Sequence, residues 1–151
     1  MINSKDFLGD GSFVAQTTKK HEGVLKPTSL TIERTLGLSP GKTHSYQIVD
    51  NPLRLDSRDW DRVVAVIALG KSWQFKGWRW DQPVDLFTQC IGIHLKFADE
   101  PLAPAVGQWN VNVVNVQKSQ RHLDRTVAGH FWALVDAFVR VKHPKLAAPG
   151  T

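Results

Sequence analysis

The sequence is nearly devoid of cysteine. Cys90 stands alone, which excludes an internal disulfide and any cysteine-built zinc cage and fits a reducing compartment. The histidines are scattered, and none pairs with another at the spacing by which a helix offers two imidazoles to one metal. No apolar run reaches the length of a membrane span. The amino terminus, Met1-Ile2-Asn3-Ser4-Lys5-Asp6, has no hydrophobic signal region. No internal repeat is present, and no Asn-Lys-x-Asp sequence of the kind that reads guanine occurs.

What is present is a chain of 151 residues, 42% apolar and 22% charged, the composition of a soluble globular protein. That length holds one domain with a real core and is short for two. A net charge of +5 and a pI near 9.6 favour anionic partners: nucleic acid, phosphorylated peptides or acidic protein faces. A surplus of this size serves solubility equally well.

Residues Ser4 to Leu8 read as a short helix capped by Asn3 and ended by Gly9. Asp10 to Lys42 is rich in Gly, Thr, Lys, Ser and Pro and reads as loop, with Ser29 to Arg34 a short element of undetermined kind. Thr43 to Asp50 has strand character and stops at Asn51-Pro52. Asp56 to Asp59 resembles a helical turn with a Ser or Asp cap. Arg62 to Leu69 is a continuous apolar run, the mark of a strand covered on both faces in a parallel sheet. Gln82-Pro83 opens a helix over Val84 to Gln89. Ile91 to Phe97 alternates as a strand, and Trp109 to Val116 is another, with a bulge expected at Val113-Val114.

The last helix is capped by Asp124 and carries a stripe of Val127, Phe131, Leu134, Val135, Phe138 and Val141. Pro144 ends it, and residues 146–151 read as a disordered tail. The alternation of strands and helices predicts an α/β fold with a mainly parallel sheet flanked by helices.

Gly37-Leu38-Ser39-Pro40-Gly41-Lys42-Thr43 imitates a phosphate-binding loop. It has three residues where four are needed, Pro40 removes an amide donor, and β-prone residues come next in place of a helix, so a turn entering a strand is expected. Asp6-Phe7-Leu8-Gly9 matches Asp-x-x-Gly only in form. Trp73, Phe75 and Trp78 are expected in the framework, with Trp80 the exposed ring.

Lys118, Arg121, His122 and Arg125 gather where a strand leads into the last helix and form the candidate phosphate-recognising surface, since arginine forks pair with phosphate oxygens. A solvated loop with a local Arg–Asp pair is the plainer reading of the same residues. Arg140, Lys142, His143 and Lys145 complement the end of the helix dipole. Asp59 and Asp61 have no nucleophile or metal ligand paired with them, so a cap and a pair with Arg62 are expected. Trp60 and Arg62 form a second candidate peptide patch. Cys90 reads as buried and inert.

Asp59-Trp60-Asp61-Arg62-Val63-Val64-Ala65-Val66, Trp73-Gln74-Phe75-Lys76-Gly77-Trp78, Gln108-Trp109-Asn110-Val111, Arg121-His122-Leu123-Asp124-Arg125 and Phe131-Trp132 succeed one another in family order. Together they resemble the carboxy-terminal domain of parafibromin and its fungal and plant relatives, over roughly Asn3 to Lys145. The resemblance implies a Ras-like (P-loop GTPase-like) domain over residues 1–145, without GTPase activity, nucleotide motifs, cofactor or metal. It further implies a nuclear subunit of the polymerase-associated factor complex, which travels with RNA polymerase II during elongation and supports histone modification. The implied partners are the other subunits, the phosphorylated carboxy-terminal repeats of the polymerase and a phosphorylated elongation factor. The family's first strand, expected near the middle of the sheet, has no counterpart after Met1-Ile2, which points to truncation or to a strand supplied by another segment. Two other readings stay open: a degenerate GTPase-like domain that still binds nucleotide, and a basic single-strand nucleic-acid binder using Trp80.

Overall fold

The structure, a computed structural model, describes residues 5–9, 29–35, 37–39 and 41–148. In chain order the elements are β1 (Ser29–Arg34), β2 (His44–Val49), α1 (Ser57–Asp61), β3 (Ala65–Ile67), α2 (Pro83–Gln89), β4 (Ile91–Phe97), β5 (Val111–Val116), α3 (Asp124–Lys142) and α4 (Pro144–Ala147). They divide into two compact units, Pro52–Lys118 and the remainder of the chain on either side of it.

In the unit Pro52–Lys118, β3, β4 and β5 form a parallel sheet in that order. The β-branched run and the Pro83 helix start do what their chemistry favours, with proline in the first turn of α2, where its missing N–H costs nothing. Val66, Ala68, Phe75, Leu86, Phe87 and Cys90 make the core. Phe75, Leu86 and Cys90 are sealed completely, and burying a side chain such as Phe75 or Leu86 is worth about 1.5–3 kcal/mol. Gly92 is what lets the Phe87 ring lie on the sheet. A Cβ there would stand 2.5 Å from Phe87 Cδ1 and 2.6 Å from Val111 Cγ1.

The strand expected over Arg62 to Leu69 is only Ala65–Ile67, because Arg62 is used up as the C-cap of α1. The register of β4 with β5 runs unbroken from Gly92 opposite Val111 to Phe97 opposite Val116. No bulge forms at Val113-Val114: Val114 is buried while Val113 turns out to solvent, so ordinary alternation holds. On β3, Val64 and Ala68 bond to β4 through Ile91 and Ile93. Val66, paired with Gly92, serves β4 as well, so the alternate residues Ile67 and Leu69 direct their peptide groups to the other edge. There the Gln74 carboxamide accepts from Leu69 N–H at 2.8 Å and donates to Ile67 C=O at 3.0 Å, standing in for a neighbouring peptide group.

In the other unit, β1 and β2 pair antiparallel, Ser29 opposite Val49 and Arg34 opposite His44. Ser29–Arg34 is thus a strand. The amino-terminal turn spans Lys5–Gly9 with π-type bonding; Asn3 and Ser4 lie outside the described residues, as do residues 10–28. Trp132 Nε1 donates to Leu8 C=O at 2.8 Å, fixing that turn to α3.

The buried face of α3 is Ala128, Phe131, Trp132, Val135, Asp136 and Val139. It is rotated from the predicted stripe, and Val141 is 78% exposed. The predicted stripe omitted Ala128, Trp132 and Val139, which are buried, and with the face turned this way Asp136 lies inside: it takes Arg34 Nη1 at 2.8 Å, while the Arg34 guanidinium lies 4.4 Å from the Trp132 ring centre. Gly37, at φ 107°, is the close approach this pair requires, since a Cβ there would strike the Asp136 carboxylate. Pro144–Ala147 is a helical turn where the sequence suggests only an ending; the buried Ser39 hydroxyl donates to Ala147 C=O at 2.8 Å. Residues 149–151 lie outside the described residues.

Candidate interaction surfaces

The cationic run entering α3 is held by a 3₁₀ turn, Arg121–Leu123, that continues directly into the helix. Asp124 is not its cap. Its backbone is already helical, with φ −55° and ψ −39°, and its carboxylate is buried against the arginine three residues earlier. Arg121 Nε and Nη2 donate to the same Asp124 oxygen at 3.0 and 2.9 Å. The pair fixes the guanidinium while leaving that side chain 40% exposed. His122 and Arg125 are exposed, and neither has an ion-pair partner among the described residues.

Lys118 belongs to the unit Pro52–Lys118, where acidic neighbours take its charge. Its ammonium lies 3.3 Å from Glu100 and 3.5 Å from Asp99, and 4.7 Å from the Phe97 ring centre. The hydrogen bond to Glu100, with Asp99 adding its field, raises the Lys118 pKa above the ordinary lysine value. Of the four basic residues that the sequence places together, two therefore carry their own counter-charge.

Asp56 and Asp59 cap α1 reciprocally: Asp59 N–H donates to Asp56 Oδ1 at 2.8 Å, and Asp56 N–H reaches Asp59 Oδ2 at 3.3 Å. The capping role expected for Asp59 is thus met. Asp61, however, pairs with Arg79 at 2.7 Å instead of Arg62. Trp60 is buried, its ring 5.7 Å from Trp78 and 5.8 Å edge-on from Trp80. It is core, and a peptide could not reach its face; only Arg62 of that pair is exposed.

The tryptophan-rich loop also differs from expectation. Phe75 and Trp78 are framework, packed at 5.2 Å. Trp80 is half-buried against Trp60, with the Arg79 guanidinium 4.9 Å from its ring centre. The exposed ring is Trp73, at 69%. The residue types did not distinguish these indoles; their tertiary contacts do.

Lys42 N–H donates to Ser39 C=O at 3.2 Å, and the chain then runs from Thr43 into β2, so no helix amino terminus succeeds the glycine-rich stretch. Burial pushes the Cys90 thiol up to about 11, which keeps it protonated and inert at neutral pH. Among the described residues no three metal-ligating side chains gather, and no helix is long and apolar enough to cross a membrane.

A parallel three-stranded sheet whose β3–β4 crossover is the helix α2 defines an α/β domain, here of the Ras-like class. The match to solved structure agrees: the conserved domain of yeast Cdc73 superposes with a TM-score of 0.83 at 29% identity, covering 94% of this chain and 88% of that one. Residues 1–138 match the family model described as "RNA pol II accessory factor, Cdc73 family, C-terminal". Cell division cycle protein 73 of Caenorhabditis elegans is 35% identical over 98% of this chain and 28% of its own length. The CDC73 homolog of Arabidopsis thaliana is 39% identical over 93% of this chain and 35% of its own length. The chain belongs to the Cdc73 family, which is that of parafibromin, and spans about a third of the length of these curated relatives.

Proposed function

We propose that this domain is a non-enzymatic interaction module of a nuclear transcription elongation complex. In this reading it helps recruit the complex to chromatin and RNA polymerase II by binding phosphorylated, disordered repeats of the polymerase tail or of an elongation factor. The observation that carries the proposal is the junction into α3. Arg125 and His122 are exposed there beside a half-exposed Arg121 whose guanidinium Asp124 already orients. A phosphate gains most from an arginine held in place, because little side-chain freedom is lost on binding. Arg62 is a separate exposed cation on the other unit, where Lys118 is paired with Asp99 and Glu100 and Trp60 is buried.

The test is fluorescence anisotropy with labelled polymerase-tail repeats, phosphorylated and unphosphorylated, against the wild type and Arg121→Glu/Arg125→Glu. The wild type should prefer the phosphorylated peptide, and the double variant should lose that preference. Equal affinities in all four combinations refute the assignment.

A further inference from the structure

Trp73 is a large apolar side chain held out in water by the structure around it. In the 3₁₀ turn Ser72–Phe75 successive side chains point about 120° apart. Phe75 is completely buried, among the rings of Trp78, Phe87 and Trp109. Gln74 is spent on the edge of β3 through its two hydrogen bonds. With those two directions taken, the third residue has only solvent to face. Its ring meets no other aromatic ring among the described residues, and its backbone carbonyl is bound by Lys76 N–H at 3.3 Å. Leu69, 60% exposed, is tied to the same Gln74 side chain through its own N–H. Two apolar side chains thus stand exposed on a backbone that is already immobilised, which removes much of the ordering cost of binding.

Along the chain, the charge on either side of them has one sign. Lys71 and Lys76 bracket the turn, both exposed and without a carboxylate partner among the described residues. No acidic residue occurs between Asp61 and Asp81, and Asp61 is engaged by Arg79. We infer that this turn is a docking site for an acidic protein segment carrying one large apolar side chain. The apolar group packs on Trp73 and Leu69, and the flanking carboxylates meet Lys71 and Lys76. Tryptophan is among the residue types enriched at the sites that dominate binding energy in protein interfaces. A single-stranded nucleic acid fits less well, because base-stacking platforms present successive aromatic rings along a groove. Here the other five tryptophans are buried or half-buried.

The experiment uses a dye-labelled disordered peptide of Glu and Asp with one central Phe, its Phe→Ser version, and an oligothymidine of similar length, each titrated by anisotropy. The wild type should bind the Phe peptide in a salt-sensitive manner and bind the Ser peptide about tenfold more weakly. Trp73→Ala should lose about tenfold for the Phe peptide while its thermal midpoint stays unchanged, since the ring supports nothing. Lys71→Glu/Lys76→Glu should abolish the salt dependence. Equal affinity of Trp73→Ala and wild type, failure of the wild type to bind the peptide, or preferred binding of oligothymidine each overturns the inference. The result is independent of the Arg121/Arg125 variant, which leaves this turn intact.

Discussion

Replacing Asp136 with asparagine removes one charge from a buried pair and leaves the other where it is. Asp136 is 6% exposed and Arg34 is 19% exposed. Deleting one member of a fully buried pair costs about 3–5 kcal/mol, mostly from the stranded charge. Three features reduce that here: Arg34 reaches some water, keeps its place over Trp132, and can still donate to an amide oxygen. The expected loss is about 2–4 kcal/mol, a fall of roughly 5–12 °C in Tm for a chain of this size. Urea unfolding followed by circular dichroism measures it. Arg34→Met/Asp136→Leu should cost less than either single change, because no charge is left buried.

Tyr46 offers a second readout, as it is the only tyrosine in the sequence. Its phenol is raised above 10.0 by burial first and by the Asp136 carboxylate second, with Arg34 pulling the other way. Asparagine removes a raising influence and leaves a lowering one, so tyrosinate absorbance should appear at lower pH in the variant. Below the unfolded value the neutral phenol's contribution to stability is fully present. It is lost as pH rises through the folded value, because the unfolded chain releases the proton first. That alkaline loss should shrink in Asp136→Asn. A variant within about 0.5 kcal/mol of wild type, or a Tyr46 titration that moves upward, would refute the reasoning.

Gly92→Ala should destabilise by about 1–3 kcal/mol, since the new methyl meets a Phe87 ring wedged between Phe75 and Trp109; Phe87→Leu in that background should recover part of the loss in the same urea assay. Cys90 has its thiol raised from 9.0 to about 11 by burial, so its neutral form stabilises the fold up to pH 9.0 and about 2–3 kcal/mol is lost by pH 11. Comparing the pH dependence of wild type with Cys90→Ala isolates that loss, and native Cys90 should react with thiol reagents far more slowly than the urea-unfolded chain.

The strand and helix positions were legible because each depends on a local period or a local stop. Thr43 to Asp50, Gln82-Pro83 and Ile91 to Phe97 all formed close to where hydrophobic alternation or proline placed them. The failure of Gly37–Thr43 as a phosphate loop was likewise local, a matter of its spacing and of the β-prone residues after Thr43. Partner choice was not local. Asp61 lies next to Arg62 in sequence yet bonds Arg79, eighteen residues away. Asp124 looked like a cap because helices commonly start with one, but it serves as a buried acceptor for Arg121.

By itself, then, the sequence determined the family, the α/β class and the approximate order of elements, through periodicity and through tryptophans at characteristic intervals. Only the tertiary structure decided which indole faces water. Trp60, Trp73 and Trp80 are chemically identical, and their environments depend on contacts with Trp78, Gln74 and Arg79 that no local pattern encodes. It also decided which cations remain available. Lys118 is neutralised by carboxylates that folding brings to it, Arg121 is oriented by Asp124 while staying 40% exposed, and Arg125, Lys71 and Lys76 are left facing solvent. Charge is a property of residues, but unpaired charge is a property of the fold.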